Sequence, residues 1–409
     1  MSKESRSTDT TFSRRSFLKT ASAATAGLAV LRTAQGRIER TLKAGLVGCG
    51  GRGMGAASDI LQAENVVIHA IGDAFKDRVD DARTRFEVPE ERCFVGFDAY
   101  QKVLETDIDI ILLATPPHFR PEMFEAAVAA GKHIFMEKPV AVDPVGVRRI
   151  MNAGEAARQK GLSVVAGTQR RHQQNYVETQ QRVADGALGQ IVAARVTWWQ
   201  GDLWRRRRRP EWTDMEFQIR NWLYFSWLSG DHIVEQHIHN IDVVNWFVGS
   251  HPIRAYGMGG RMVRTDIGNI YDHFTTIYEY PNGTHLTSMC GQCTRDWGDV
   301  SEFLIGDKGT SNCSGEISGE NKWRFEGSVV NPYVMEHVDF IEAIRNEEPL
   351  NESEHVVEST LTAIMGRTAA YTGKPVFWDQ IMQSNLRLGP TKYEWGPVDV
   401  DLTVPKPQV

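Results

Sequence analysis

The sequence predicts a two-domain α/β protein, in which a parallel-sheet domain precedes an α+β domain with a largely antiparallel open sheet. From residue 41, short apolar strands alternate with helical stretches, a pattern typical of βαβ units on a parallel sheet. Beyond about residue 166, apolar strands follow one another and are separated by turn signals such as Pro281-Asn282-Gly283. We therefore expect a first domain over residues 41–165, a second over 166–380 and an extended C-terminal arm over 381–409.

The composition narrows the functional classes. The chain has 409 residues, of which 41% are hydrophobic and 24% are charged, as in ordinary globular domains. The formal net charge of −6 argues against a nucleic-acid-binding protein, because such domains are usually basic. No uninterrupted apolar run reaches the roughly 20 residues that a membrane-spanning helix needs. We expect a small-molecule partner, no nucleic acid and no membrane span in the mature chain.

A glycine-rich loop follows the first predicted strand. Residues 42–47 are apolar and run into a G-x-G-x-x-G pattern at 48–53, whose glycines would provide a tight turn and let the backbone approach a pyrophosphate. The next strand, 66–71, leads to Asp73, whose carboxylate would accept a hydrogen bond from a ribose 2′-hydroxyl. The pattern predicts a Rossmann dinucleotide-binding domain. Its candidate cofactor contacts are Gly48, Gly50, Gly51, Arg52, Gly53 and Asp73.

Asp73 also bears on the choice of dinucleotide. A carboxylate at this position repels the 2′-phosphate of NADP and therefore favours NAD. Lys76 and Arg78 follow closely and would offset part of that repulsion. We predict NAD as the cofactor, with NADP as the weaker alternative.

Polar clusters stand at the ends of two further predicted strands. Strand 109–114 is followed by Thr115-Pro116-Pro117-His118, and strand 133–136 by Glu137-Lys138-Pro139. Open parallel sheets bind their ligands at the carboxyl ends of the strands. Further candidate cofactor contacts are therefore Thr115, Pro116, His118, Glu137 and Lys138.

Four motifs, in order and spacing, resemble the Gfo/Idh/MocA oxidoreductases, the family of the inositol dehydrogenases and glucose–fructose oxidoreductase. They are the loop 48–53, Thr115-Pro116-Pro117-His118, Glu137-Lys138-Pro139 and Ile238-His239-Asn240-Ile241-Asp242. The resemblance implies that Lys138 contacts the reacting sugar hydroxyl, that His239 accepts its proton and that Asp242 contacts the substrate. It also implies a dimer or tetramer, because the open face of the antiparallel sheet commonly pairs in this family.

The same resemblance suggests roles for neighbouring residues. Glu235 lies four positions before His239, where inositol dehydrogenases usually carry Asp, and is a candidate catalytic partner of the histidine. Arg170 and Arg171 resemble the family's arginine-bearing segment at the domain junction. A guanidinium there would fork to substrate oxygens, which makes Arg170 a candidate substrate contact.

These residue types also suit the chemistry of alcohol oxidation. A base must take the hydroxyl proton while hydride leaves for the nicotinamide, and histidine is the commonest such base because its pKa lies near working pH. A cation such as Lys138 would stabilise the developing alkoxide. We predict an NAD(P)-dependent oxidoreductase that acts on a hydroxyl of a sugar, cyclitol or sugar derivative.

The histidines allow a different interpretation. His232, His237 and His239 could instead bind a metal ion together with Glu235, although we expect no resident metal. His237 and His239 are two residues apart and cannot share a helix face, so at most one of them points at the nicotinamide.

The first residues resemble an export signal. Ser13 to Lys19 match the twin-arginine pattern and precede the apolar run 20–31, so we expect residues 1–34 to direct export to the periplasm. Arg32 occupies a position where a cleavage site needs a small residue, which leaves an uncleaved signal anchor open. Because a periplasm has no free nicotinamide pool, an exported enzyme should carry its dinucleotide tightly bound and regenerate it in place.

Two alternative functions remain open from the sequence. An NAD-dependent glycoside hydrolase would oxidise a sugar transiently, eliminate its substituent and reduce the product again, with Tyr176 and Tyr271 as acid/base candidates and Tyr176 as a substrate contact. A non-catalytic dinucleotide-binding sensor is the second alternative.

An insert rich in tryptophan also contains the run Arg205 to Arg209. Its aromatic rings would stack on a sugar and its arginines would bind acidic groups. The alternative is that the tryptophans belong to the core and the arginines to a solvated turn.

Overall fold

The computed structural model describes residues 38–293 and 296–407. The predicted export segment 1–34 lies outside the described residues. Among the helices of the described part, none is both long enough and apolar enough to cross a membrane.

The first domain contains a six-stranded sheet, and all its neighbouring strands are parallel. Its strands are β1 Leu42–Val47, β2 Val66–Asp73, β3 Cys93–Val95, β4 Ile110–Leu113, β5 His133–Met136 and β6 Val164–Ala166, in the order β3-β2-β1-β4-β5-β6. Its helices are α1 Gly51–Ile60, α2 Lys76–Phe86, α3 Ala99–Leu104, α4 Arg120–Ala129 and α5 Pro144–Gln159. This is the Rossmann strand order, which confirms the predicted fold class.

Within the described residues, the second domain contains a nine-stranded mixed sheet, in which only the pair β7 and β10 is parallel. Its strands are β7 Ile191–Gln200, β8 Arg254–Gly260, β9 His273–Glu279, β10 His285–Gln292, β11 Asp299–Gly306, β12 Gly309–Ser311, β13 Glu316–Gly319, β14 Trp323–Arg324 and β15 Val376–Phe377. Its helices are α6 Gln174–Ala184, α7 Asp214–Arg220, α8 Ser226–Ser229, α9 His232–Glu235, α10 Ile238–Val248, α11 Pro332–Arg345, α12 Ser353–Thr372 and α13 Trp378–Met382. The predicted α+β domain with a largely antiparallel sheet is confirmed.

The burial of the strands follows from the layers that cover them. All four residues of β4 are buried, because helices cover both faces of the parallel sheet. In the second sheet the buried side chains alternate along β9, so only one face meets the helices. Helix α12 lies at the centre of the molecule and contacts α5, α10 and β8. It therefore joins the two domains.

Helix α11 packs on the first domain although it follows the second sheet in sequence. Its residues Phe340, Ile341 and Ile344 share a core cluster with the strands of the parallel sheet. Just beyond the helix, Asn351 pairs with Val164 of β6 in a parallel bridge. The chain over 332–352 thus covers the first sheet, a non-local packing that the expected boundaries of 41–165 and 166–380 do not capture.

Candidate active site

The glycine loop connects β1 to α1 at the carboxyl end of the parallel sheet. Gly48 has a φ of +94°, and a Cβ added there would lie 2.6 Å from the carbonyl carbon of Ala114. A Cβ on Gly53 would lie 1.8 Å from the Gly48 oxygen. A Cβ on Gly50 or Gly51 would meet no backbone atom beyond its own helix and chain neighbours, so the space beside these two glycines is open. The loop therefore fits the approach of a pyrophosphate.

Asp73 ends β2 and forms one wall of a cavity beside this loop. Its Oδ2 accepts a hydrogen bond of 2.7 Å from the Cys49 N–H, and its Oδ1 accepts one of 2.9 Å from the Phe75 N–H. Burial raises the pKa of Asp73, while these N–H donors oppose the shift. The cavity is also lined by Gly48, Gly50, Gly51, Arg78, Thr115 and Pro116. The arrangement suits a dinucleotide whose adenosine half meets Asp73.

Arg52 and Glu137 form an ion pair with each other. The Arg52 Nε lies 2.7 Å from the Glu137 Oε1, and the Arg52 Nη2 donates to Asp59 at 2.9 Å. Glu137 is buried, and the Arg52 guanidinium also lies over the ring of Tyr333. The pair fixes the Glu-Lys-Pro segment beside the glycine loop, and direct cofactor contacts of these two residues stay a prediction.

The residues around His118 differ from those around the other predicted cofactor contacts. Its Nε2 lies 2.8 Å from the hydroxyl of Tyr393, and its ring meets Trp227 edge-on at 5.0 Å. Burial lowers the pKa of His118 to about 4. The residues that line the Asp73 cavity include Thr115 and Pro116 but not His118. The imidazole instead contacts the C-terminal arm, a contact that no local motif could indicate.

Lys138 contacts the last residue of α9. Its Nζ donates a hydrogen bond of 2.5 Å to the backbone oxygen of Glu235 and lies 3.2 Å from the Glu235 Oε1. Both side chains are largely buried, with 11% and 14% of their surface exposed. The carboxylate of Glu235 therefore partners Lys138, whereas the sequence suggested His239 as its partner. An ammonium has three donors, so one N–H of Lys138 is left for a substrate.

His239 lies in the first turn of α10 and faces β7. Its ring stacks on Trp198, with 5.8 Å between the ring centroids and 21° between the planes. Within the described residues, no hydrogen bond engages the imidazole nitrogens. Burial, with the positive charges of Lys138 and Arg170, holds the pKa of His239 well below its usual range. The imidazole is therefore neutral at ordinary pH and able to accept a proton.

Arg170 is fixed by a carboxylate that the sequence analysis missed. The Arg170 Nη1 pairs with the Glu302 Oε1 and donates to the Asn240 Oδ1 at 3.2 Å. The hydroxyl of Tyr176 donates to the other Glu302 oxygen at 3.0 Å. Glu302 lies on the buried face of β11, where burial raises its pKa. The sequence signal for this role was a glutamate between apolar positions of a predicted strand. A carboxylate buried in that way normally has a charged or hydrogen-bonding partner.

Asp242 is engaged by protein groups on both carboxylate oxygens. Arg171 forms a bidentate pair with it, with both N···O distances at 2.9 Å, and Ser359 donates to its Oδ1 at 2.7 Å. Only 1% of Asp242 is exposed. Protein groups thus occupy both of its carboxylate oxygens, and its substrate contact stays a prediction.

The alternative metal site is not assembled by these histidines. His237 lies under β10 and makes a 2.8 Å hydrogen bond with Ser288, while His232 packs edge-on against Phe274. Among the residues described, the single group with three metal-ligand atoms near one another is Asp272, His273 and Cys293. The Asp272 Oδ2 in that group already accepts three backbone N–H bonds. The three predicted histidines therefore do not form one metal-binding group within the described residues.

The two tyrosines proposed for the hydrolase alternative both donate to protein acceptors. Tyr176 donates to Glu302, as described, and Tyr271 donates to the backbone oxygen of Pro405 at 2.8 Å. Burial raises the pKa of each hydroxyl. Each hydroxyl therefore has a protein acceptor, and the acid/base roles of the two tyrosines stay a prediction.

The tryptophan-rich insert belongs partly to the core and partly to the cavity wall, and its contact with sugar or acidic groups stays a prediction. Trp212 and Trp227 are buried, as a core interpretation expects, whereas Trp204 and Trp222 line the Asp73 cavity. The arginine run forms a separate cavity with Asp77 and Arg220. The insert therefore lies against the cofactor cavity.

Models of two protein families match the chain. The oxidoreductase family with an NAD-binding Rossmann fold matches residues 42–168, and the GFO/IDH/MocA C-terminal domain matches residues 176–312.

Curated proteins show a more distant similarity. The chain is 22% identical over 236 residues to myo-inositol 2-dehydrogenase of Thermotoga maritima, covering 58% of this chain and 64% of that enzyme. It is 30% identical over 211 residues to inositol 2-dehydrogenase of Paracoccus denitrificans, covering 51% of this chain and 54% of the relative. The chain thus matches less than two thirds of the length of these relatives.

Solved structures show the same fold. The aldose-aldose oxidoreductase of Caulobacter crescentus superimposes with a TM-score of 0.68 at 16% identity, covering 83% of this chain and 100% of that one. Levoglucosan dehydrogenase, in complex with NADH and levoglucosan, gives a TM-score of 0.64 at 18% identity, covering 82% and 99% of the two chains.

Proposed function

The chain belongs to the Gfo/Idh/MocA oxidoreductase family, and we propose that it oxidises a hydroxyl of a sugar, cyclitol or sugar derivative with NAD as its cofactor. The observation that carries the proposal is that Lys138, with one ammonium donor free, contacts Glu235, four residues before His239, whose imidazole makes no hydrogen bond within the described residues. Relatives named inositol dehydrogenases support the substrate class.

Lys138, His239 and Arg170 have separate roles in the oxidation of an alcohol. Lys138 donates a hydrogen bond to the reacting hydroxyl and stabilises the negative charge that develops on its oxygen. His239 accepts the hydroxyl proton at a ring nitrogen. The polar contacts of Arg170 within the described residues all involve Nη1, which leaves its other donors available to substrate oxygens. When bound, the nicotinamide supplies the hydride acceptor.

We further propose that the protein acts in the periplasm with a tightly held dinucleotide. The twin-arginine pattern at residues 13–19 supports export, and export would separate the enzyme from the cytoplasmic nicotinamide pool. The cofactor is then reduced by one hydroxyl compound and reoxidised by a second substrate that carries a carbonyl group. Electrons balance over these two half-reactions without exchange of the nucleotide.

A dimer or tetramer through the open sheet face is part of this proposal. The face turned away from the helices carries Tyr256, Met258 and Ile305, which are 36%, 73% and 40% exposed. Apolar side chains on an uncovered sheet support pairing with a second copy. Light scattering of Met258→Asp against the wild type tests it, because a buried carboxylate would dissociate the pair.

The test of the function uses the protein as isolated. Denaturation should release NAD, identified by mass spectrometry, and a panel of sugars and cyclitols should reduce the bound nucleotide in a single turnover followed by absorbance. Absence of any NAD or NADP binding would contradict the proposal. Cleavage of a nitrophenyl glycoside without net reduction would identify the glycoside hydrolase instead. Binding without turnover across the panel would favour a sensor.

A further inference from the structure

The dinucleotide cavity is not closed by the first domain alone. Trp204, Ile219 and Trp222 of the insert lie on its wall together with Tyr393 of the C-terminal arm. These residues come from two chain segments that are far from the glycine loop in sequence. Three separate parts of the chain therefore enclose one ligand site.

The arm reaches the cavity by fixed contacts with the first domain. The Arg148 Nη1 donates to the backbone oxygens of Met382 and Ser384 at 2.5 and 2.7 Å. Further along, the Leu388 N–H donates to the Asp143 Oδ2 at 3.0 Å. Residues 383–407 contain no helix or strand, so hydrogen bonds between side chains of the first domain and the backbone of the arm hold the arm in position.

The arm then passes closely over His118. A Cβ on Gly389 would lie 2.0 Å from the His118 Cε1, so the arm fits here only because this residue is glycine. The hydroxyl of Tyr393 and the His118 Nε2 lie 2.8 Å apart. The imidazole of His118 therefore positions the arm through its contacts with Gly389 and Tyr393.

Trp395 covers the two phenylalanines on the cavity wall. Its ring centroid lies 5.3 Å from that of Phe75 and 4.7 Å from that of Phe97, and both phenylalanines line the cavity. The next residue, Gly396, accepts a hydrogen bond of 3.0 Å from the Met215 N–H in the insert. The arm thus joins the first domain to the insert directly beside the cavity.

We propose that the arm segment 388–396 and the insert residues Trp204 and Trp222 form a clasp that retains the dinucleotide by its adenosine half. The inference rests on the proposed function, because it takes the cavity to hold that cofactor. Tyr393 lines the cavity and Trp395 supports Phe75 and Phe97 on its wall, so release of an enclosed adenosine requires this arm segment to move. The clasp therefore acts mainly on the dissociation rate, which is where most changes in affinity between related complexes arise. It would give an exported enzyme the retention that a compartment without free nicotinamide requires.

The test measures the release of bound NADH. The protein is loaded with NADH and diluted into excess NAD, and loss of bound-nucleotide fluorescence gives the dissociation rate. Trp395→Ala removes a ring that is 44% exposed, so the fold should tolerate the change. Trp297→Ala is the matched control, because that ring is 56% exposed and contacts Trp199, whereas Trp395 contacts two residues that line the cavity.

We expect Trp395→Ala to accelerate release about tenfold or more and Trp297→Ala to match the wild type. Gly389→Ala, which displaces the arm from His118, should accelerate release as well. Melting temperatures of the nucleotide-free proteins separate this effect from unfolding. Equal release rates for the wild type and both arm variants would overturn the clasp while leaving the proposed function intact. A wild type that binds no nicotinamide dinucleotide would instead overturn the proposed function itself.

Discussion

Lys138 is held by Glu235 through two different groups, a backbone oxygen at 2.5 Å from its Nζ and a carboxylate oxygen at 3.2 Å. The shorter contact does not depend on the side chain of Glu235. A lysine secured in this way keeps its position beside α10 even when the carboxylate is altered.

The first prediction follows from that double contact. Lys138→Ala should slow hydride transfer by roughly 10²-fold, because a donor to the developing oxyanion is lost. Lys138→Arg should not restore the rate, since a planar guanidinium cannot replace a compact ammonium at one hydroxyl. Glu235→Gln should have the smaller effect, because the backbone oxygen still binds the lysine. Single-turnover absorbance measures all three variants, with exposed Lys374→Ala as control. A larger loss for Glu235→Gln than for Lys138→Ala would show that the carboxylate itself is essential.

The second prediction concerns His239 and pH. His239→Ala should retain NAD and its fold yet slow the chemical step by roughly 10²–10⁴-fold, the usual contribution of a positioned base. Because the pKa of His239 is lowered by burial, the wild-type imidazole stays neutral as pH falls through 6.5. The acid limb of the pH–rate profile should therefore lie below that pH. His285→Ala, on the exposed start of β10, is the control. Wild-type activity in His239→Ala would exclude the histidine as the base.

Local patterns predicted the elements of this fold well, and the reason is visible in particular residues. β1 and β5 have the predicted bounds, because their apolar runs stop at polar residues or glycine. The glycine loop and Lys138 were also found, since each belongs to a contiguous motif. Glu302 and Tyr393 were missed as site residues, because their contacts arise only when distant segments fold together.

A third prediction tests the newly found carboxylate. Glu302→Gln should weaken the positioning of Arg170 and raise KM about tenfold, with little change in kcat, if the arginine binds ground state and transition state equally. Steady-state kinetics separates the two constants. Glu320→Gln, in an exposed turn, provides the control. An equal fall in kcat and kcat/KM would mean that Arg170 acts in the transition state only.

Export provides the fourth prediction. Replacing Arg14 and Arg15 together by Lys should keep the protein in the cytoplasm, because the twin-arginine route recognises the arginine pair. Fractionation followed by immunoblotting measures the distribution. Arg32→Lys lies outside the motif and should be exported like the wild type. Unchanged export of the double variant would mean that residues 13–19 are not a signal.

The fifth prediction concerns the choice of dinucleotide. Asp73→Ala should weaken NAD binding more than NADP binding, since it removes an acceptor for the ribose hydroxyl and also a repulsion toward a 2′-phosphate. The structure adds that Asp73 accepts from the N–H groups of Cys49 and Phe75, so the variant also loses support for the glycine loop. The lost support of the loop weakens the binding of both dinucleotides alike. The ratio of the NAD and NADP dissociation constants therefore isolates the effect of Asp73 on the ribose hydroxyl and the 2′-phosphate. Calorimetry on nucleotide-free protein gives the ratio, with Asp80→Ala on the exposed face of α2 as the control. A ratio unchanged from the wild type would remove Asp73 as the residue that selects NAD.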